Sequence, residues 1–255
     1  MESFKISCPC HFGLEGILAG EMKRLDFKNV ISDNGKVSFD GGFFDIAKAN
    51  INLRTAERVL IELACFEAKS FEDLFQGVLA IEWEQFVGKN EAFPVKGWSL
   101  NSKLHSVPDC QSIVKKAVCK RLEKVYGISF FVETGAKHQI QFSILKDKVC
   151  IYLDTSGEGL HKRGYRKNSN AAPIKETLAA GILDIARVKG YSQLYDPMCG
   201  SGTFLAESYL RATKTAPGLR RGFAVEKWQC FSDKYFREAR GEALAKIEHD
   251  IEFKG

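Results

Sequence analysis

The chain has no long uncharged apolar run. Its best stretch, Val59 to Phe66, is broken by Glu62, well short of the ~18 residues a membrane-spanning helix needs. The N-terminus, Met1-Glu-Ser-Phe-Lys, lacks the basic flank and apolar core of a secretory leader, so a cytoplasmic location and no membrane partner are expected. Proline is scarce: there are six, at 9, 94, 108, 173, 197 and 217, and no two are adjacent. Close cysteine pairs are also scarce. Cys8-Pro-Cys10 stands alone among eight cysteines, and the five histidines supply no second pair. A zinc site commonly needs two such pairs, so no metal is expected and the cysteines read as reduced packing thiols. There is no internal repeat and no low-complexity tract, which sets aside solenoids and collagen-like chains. What remains is ordinary globular composition, 45% hydrophobic and 27% charged over 255 residues. That length suits one large or two small domains.

Net charge is a modest +5, but it is unevenly placed. Residues 1–60 and 61–155 are each balanced, while residues 156–255 carry 17 basic and 12 acidic side chains. The whole excess lies in the last segment, which fits an anionic partner such as nucleic acid.

Periodicity divides the chain into three parts. The first sixty residues read as strand, helix, hairpin at Asn34-Gly35, helix and strand, the β-α-β-β-α-β order of a ferredoxin-like unit. From about 70 to 155 come a helix (Phe71 to Ile81), a strand (Phe93 to Leu100), a helix (about Asp109 to Tyr126) and a meander over 129–133, 139–144 and 149–153. A Gly-rich basic stretch follows and reads as a linker. The third part opens with a helix whose first turn would hold Pro173. It continues with a short strand, Gln193-Leu-Tyr-Asp196, a Gly-rich turn, and a helix over Phe204 to Thr213.

That turn, Asp196-Pro-Met-Cys-Gly-Ser-Gly-Thr203, carries the strongest chemical signal. Glycines at 200 and 202 let backbone approach a ligand, and the following helix presents its positive end to the same place. Asp196 can accept hydrogen bonds from an ammonium group. Leu205 stands where a dinucleotide fingerprint has its third glycine, and no G-K-[ST] follows, so phosphate binding is not the expected use.

As a whole, D-P-M-C-G-S-G-T resembles motif I of the class I S-adenosylmethionine-dependent methyltransferases that methylate amino groups. Leu160-His-Lys-Arg-Gly-Tyr-Arg166, Ala172-Pro-Ile-Lys-Glu-Thr-Leu-Ala-Ala180, Ala216-Pro-Gly-Leu and Gly222-Phe-Ala-Val-Glu-Lys-Trp228 surround it in order. Upstream, Ser102-Lys-Leu and Asp109-Cys-Gln-Ser-Ile-Val-Lys-Lys-Ala-Val118 resemble the helix signature of a THUMP domain. Together these resemble the THUMP-domain RNA methyltransferases, specifically the bacterial family acting on guanine N2 of large-subunit ribosomal RNA.

The resemblance implies a mixed α/β and α+β chain. Residues 1–68 would form a ferredoxin-like domain, 69–155 a THUMP RNA-binding domain, 156–171 a linker, and 172–255 the N-terminal portion of a Rossmann-like catalytic domain. It implies S-adenosylmethionine as cofactor, held by Asp196, Pro197, Cys199, Gly200, Gly202 and Thr203, with Ala172, Pro173 and Thr177 from the preceding helix start. Ribosomal RNA would be the partner. The candidate contacts are Lys103, Lys115, Lys116, Lys120, Arg121 and Lys124, with Lys162, Arg163, Arg166 and Lys167 of the linker. Lys116, Lys120 and Lys124 share one helix face.

The family also uses a [DN]-P-P-[YF] motif and an acid after the second catalytic strand. Neither is present, so no catalytic residue is assigned. Glu226 is set aside as the acid because Gly222 to Glu226 precedes a further helix, about Phe231 to Ile247. The second strand would then be Asp250 to Gly255. The expected form is therefore a truncated enzyme whose incomplete sheet edge could pair with another copy. Two other readings remain open: an RNA-binding module without catalysis, and a DNA adenine-N6 methyltransferase sharing the same loop.

Overall fold

The computed structural model describes residues 3–165, 173–190 and 192–248. It contains two compact units: residues 1–59, 158–223 and 233–255 form one, and residues 60–157 with 224–232 the other. Among the described residues no helix is long and apolar enough to cross a membrane.

The first unit begins with β1 (Phe4–Pro9), α1 (Glu15–Arg24), β2 (Lys28–Asp33), β3 (Lys36–Gly41) and α2 (Phe43–Asn52). β1 and β2 both pair antiparallel with β3. Period-two alternation buries Ile6, Cys8, Val37 and Phe39 completely, and Phe27 stacks on Phe39 with ring centres 4.1 Å apart. Leu14, Leu18 and Met22 recur at helical spacing and form the buried stripe of α1 and its entry. Asp45 closes the start of α2 by accepting the Gly42 N–H at 2.9 Å.

The second unit holds β4 (Leu60–Glu67), α3 (Phe71–Leu79), β5 (Val95–Leu100), α4 (Val107–Tyr126), β6 (Gln139–Leu145) and β7 (Lys148–Asp154). Its strands run in the order β4-β7-β6-β5. β7 is antiparallel to β4 and β6, while β5 and β6 are parallel because α4 carries the chain back between them. Ser70 caps α3, accepting the Asp73 N–H at 3.1 Å. The β6–β7 hairpin turns on Lys146 and Asp147, both at positive φ (+50° and +63°), as a two-residue turn matching strand twist requires. α3 and α4 pack together, and α4 lies against β5.

Three sequence expectations need correction here. Residues 129–133 form no strand: Phe130 is 77% exposed, Glu133 turns at φ +48°, and its carboxylate accepts the Phe93 N–H at 3.1 Å instead of a ladder bond. Two of the eight cysteines are not free thiols. Cys65 and Cys150 face each other across β4 and β7 and are joined as a disulfide. Sequence spacing hides this pairing, because the two are 85 residues apart and meet only through strand register. The reading as packing thiols fits Cys8 and Cys10, where burial raises both thiols and pushes Cys10 up to about 12.

The chain then returns to the first unit with α5 (Glu176–Ile185), α6 (Thr203–Ala212) and α7 (Lys234–Ala245). α5 packs against α6, and α7 against α2. Gly181 lies so close to Leu14 that a Cβ there would come within 2.5 Å of it, which explains a glycine inside a helix. The third correction is that Gln193 to Asp196 forms no strand. A parallel strand is completed only by its partner's ladder, and among the described residues no strand pairs with this stretch.

Candidate cofactor loop and nucleic-acid surfaces

The motif-I turn leads directly into α6. Gly200 and Gly202 adopt φ +53° and +68°, and Gly202 is the N-cap of the helix. Among the described residues, apart from its own chain neighbours, no atom lies within 4 Å of where a Gly202 side chain would start, so open space borders the backbone. Asp196 sits half-buried at the mouth of the turn. One carboxylate oxygen accepts the Met198 N–H at 3.1 Å, which orients the group. Pro197 and Cys199 are exposed, Thr203 is buried, and Ser201 and Thr203 hydroxyls lie 3.2 Å apart. A carboxylate, a helix N-terminus and accessible backbone together suit a zwitterionic amino-acid group. The carboxylate would take its ammonium and the helix end its carboxylate.

The helix start expected at Pro173 is found later. Lys175 is the extended N-cap (ψ 139°) and α5 begins at Glu176, so Pro173 lies ahead of the first turn. The Lys175 ammonium reaches the Glu57 carboxylate at 3.0 Å. Thr177 is buried and donates its hydroxyl hydrogen to the same carboxylate. Burial pushes the Glu57 carboxyl up, but the bonds from Thr177 and Lys175 outweigh it and hold the group below its usual range. His11 and His161 flank it at 3.2 and 3.8 Å. Ala172 lies outside the described residues.

Glu57 was not legible as a site residue. Its partners are 118 and 120 positions away, and no local pattern marks it.

A second polar cluster joins the linker to the first sixty residues. Glu21 is buried, accepts the Arg54 N–H at 2.7 Å and the Thr55 hydroxyl at 3.0 Å, and is raised by burial. Arg54 donates to the Leu210 and Thr215 carbonyls at 3.1 and 2.7 Å. Arg163, expected to touch RNA, is only 5% exposed. It donates to the Leu160 carbonyl at 2.6 Å and to the Arg54 carbonyl, and pairs with fully buried Glu207 at 3.4 Å. The structure therefore places Arg163 inside the unit, with Nε, Nη1 and Nη2 each donating to an internal acceptor. Tyr165 likewise donates to Glu207 at 3.0 Å.

In the second unit the basic candidates divide. Lys116, Lys120 and Lys124 share an exposed face of α4, as the spacing predicts. Lys120, Arg121 and Lys124 line a cleft of about 440 Å3 with Leu79 and Glu123. Lys115, by contrast, donates to the Phe93 carbonyl at 3.1 Å, pairs with Glu133, and sits 3.5 Å over the Phe93 ring. Arg121 makes a two-pronged bond to Glu84. Internal partners thus engage both side chains, Lys115 through Glu133 and Arg121 through Glu84. Lys162 pairs with Glu158 at 2.8 Å on the surface, and Lys103 is exposed. Arg166 and Lys167 lie outside the described residues.

Three family models match the chain in succession. Residues 5–60 match the RlmL ferredoxin-like domain, 68–154 the THUMP domain, and 163–255 the RMKL-like methyltransferase domain. The structure of SMU.472, titled "a putative methyltransferase complexed with SAH", aligns at TM-score 0.92 and 37% identity, covering 98% of this chain and 67% of that one. The chain belongs to the THUMP-containing class I RNA methyltransferases. This family takes S-adenosylmethionine as cofactor. Among curated relatives, "Putative RNA methyltransferase YpsC" of Bacillus subtilis is 41% identical over 98% of this chain. "Ribosomal RNA large subunit methyltransferase K/L" of Psychromonas ingrahamii is 35% identical over 87% of it. A Listeria monocytogenes structure titled "a predicted N6-adenine-specific DNA methylase" aligns at TM-score 0.94 and 42% identity over 98% of this chain. The chain spans 65% of the length of the Bacillus relative, 30% of the Psychromonas relative and 66% of the Listeria chain.

Proposed function

We propose that this chain supplies the RNA-engaging part and the cofactor loop of an S-adenosylmethionine-dependent enzyme that methylates the exocyclic N2 amine of guanine in large-subunit ribosomal RNA. The observation that carries the proposal is the Asp196-to-Thr203 turn, with Gly202 at positive φ capping α6 and open space beside it. When bound, S-adenosylmethionine supplies an electrophilic methyl group. Asp196 would hold the cofactor's ammonium, the α6 N-terminus its carboxylate, and Gly200 and Gly202 would let backbone N–H groups close on it. The chain's contribution is thus positioning, which alone can supply several kcal/mol of a barrier. The THUMP match and the curated RNA methyltransferase relatives support RNA as substrate; the Psychromonas relative, a ribosomal RNA large subunit methyltransferase K/L, supports ribosomal RNA. In the domain division we adopt, residues 1–68, 69–155 and 172–255 are the ferredoxin-like, THUMP and catalytic portions.

The test is to titrate the chain with S-adenosylmethionine, then offer radiolabelled cofactor with ribosomal RNA or duplex DNA and map any modified base. Label on guanine N2 of RNA supports the proposal. Label on DNA adenine moves the chain to the N6-adenine DNA methylase reading predicted for its Listeria relative. RNA binding without cofactor binding leaves an RNA-binding module.

A further inference from the structure

The β4-β7-β6-β5 sheet has two unlike faces at its β5 end. On one face β5 meets α4, and Gly97 lies so close to the Phe142 ring that a Cβ would come within 2.5 Å of it. On the other face Lys96, Trp98 and Leu100 alternate outward and are all exposed. Strand register places Gln141, Ser143 and Leu145 beside them, with Lys148 beside Leu145. Trp98 is 50% exposed, whereas the other two tryptophans, Trp83 and Trp228, are 0% and 2% exposed. An indole left half in water adds little to the core, so its place on this face needs another reason.

Four lysines surround this strip. Lys96 precedes Trp98 by two residues on the same face, and Lys148 lies at the Leu100 end. Lys103 and Lys146 are held at that end too: the Lys146 N–H donates to the Leu100 carbonyl at 3.2 Å, and the Lys103 N–H to the Asp147 carboxylate at 2.7 Å. Among the described residues none of the four ammonium groups has an ion-pair partner, unlike Lys115 and Arg121. The nearest acid across the register, Glu67, lies 4.0 Å from Lys69.

We propose that this face binds an unpaired stretch of RNA, with one base stacked on Trp98 and neighbouring phosphates held by Lys96, Lys103, Lys146 and Lys148. The inference rests on the RNA methyltransferase reading and assigns it a surface that the α4 lysines do not share, since α4 covers the opposite face. From Lys96 to Leu100 the strand spans about 13 Å, enough for a few nucleotides. Aromatic stacking with flanking cations is the chemistry that grips single strands regardless of sequence. A second copy of the chain is the poorer fit, because unpaired lysines along an edge strand oppose edge-to-edge pairing.

The protein carries its own reporter, as Trp98 is its one exposed indole. The test titrates the full chain with a short fluorescein-labelled single-stranded RNA and reads both tryptophan emission and RNA anisotropy. The expected result is saturable quenching of the solvent-accessible emission. Trp98→Ala should bind about 5- to 100-fold more weakly, as loss of one stacked base predicts, and Trp98→Phe should retain most of the affinity. Lys103→Ala, Lys146→Ala and Lys148→Ala combined should lower the slope of log affinity against log salt by about 2. Wild-type affinity in Trp98→Ala, together with no quenching in the unaltered chain, would overturn this site and leave the RNA reading standing. Failure of the unaltered chain to bind any RNA would overturn both. A dimer in sedimentation that Trp98→Ala dissociates would assign the face to a second copy and overturn the proposal.

Discussion

Arg163→Ala tests whether the basic linker belongs to the fold or to the ligand. The substitution removes the cation from beside Glu207, a carboxylate with no exposed surface, and leaves the Leu160 and Arg54 carbonyls without their guanidinium donors. Breaking a buried pair by deleting one partner costs about 3–5 kcal/mol, because the remaining charge stays desolvated. Against a total stability of about 5–15 kcal/mol, that is a large fraction. For a unit of roughly this size each kcal/mol moves Tm by about 2–4 °C, so a fall on the order of 10 °C is expected. The assay must watch the correct unit. All three tryptophans lie in the second unit, so intrinsic fluorescence reports that unit and far-UV circular dichroism must carry the measurement. The double variant Arg163→Met/Glu207→Leu should recover most of the loss, since an apolar pair of similar bulk leaves no buried charge. If Arg163→Ala melts like the unaltered chain and only RNA affinity falls, the structural assignment of Arg163 is wrong and phosphate contact is restored.

Glu57 gives a pH prediction. Its carboxyl is held below the ordinary range, so the stability it contributes is complete above the unfolded carboxyl pKa and is lost as pH falls through the lower folded value. Thermal melts from neutral to acidic pH should show a smaller acid-side loss in Glu57→Gln than in the unaltered chain; parallel profiles would refute the role. Gly202→Ala meets no steric neighbour but must adopt φ +68°, at a cost of about 1–2 kcal/mol. Isothermal titration with S-adenosylmethionine should show weaker binding, and unchanged affinity would remove the loop from the cofactor site. Thiol counting on the denatured, unreduced protein should give six free thiols, rising to eight after reduction. Eight at the outset would refute the Cys65–Cys150 bond.

What the sequence made legible was local. The alternation through Phe4 to Cys8, the Asn34-Gly35 and Lys146-Asp147 turns and the stripe of α1 each depend on neighbours a few positions apart, and each is found where the pattern places it. The motif-I turn was legible for the same reason: positive-φ glycines ahead of a helix are a short-range device. Gln193 to Asp196 and residues 129–133 failed as strands because apolar alternation is necessary but not sufficient. A strand exists only where a partner completes its ladder.

The lysines and arginines show the limit most clearly. Lys115 and Lys116 are adjacent on one helix, with identical charge and indistinguishable sequence context. One is held by Glu133 and the Phe93 carbonyl, while the other faces solvent. Arg121 is held by Glu84, 37 residues back, and Arg163 by Glu207, 44 residues on. An internal acid competes with RNA for a basic side chain, most strongly where the pair is buried, and which acid reaches it is decided by the fold. Charge counting located an anion-binding tendency but could not locate the anion. Folding separates the paired cations from those with no ion-pair partner among the described residues, such as Lys96, Lys103, Lys146 and Lys148 around Trp98. By this criterion a nucleic-acid surface is better recognised by the ion pairs it lacks than by the number of basic residues it contains.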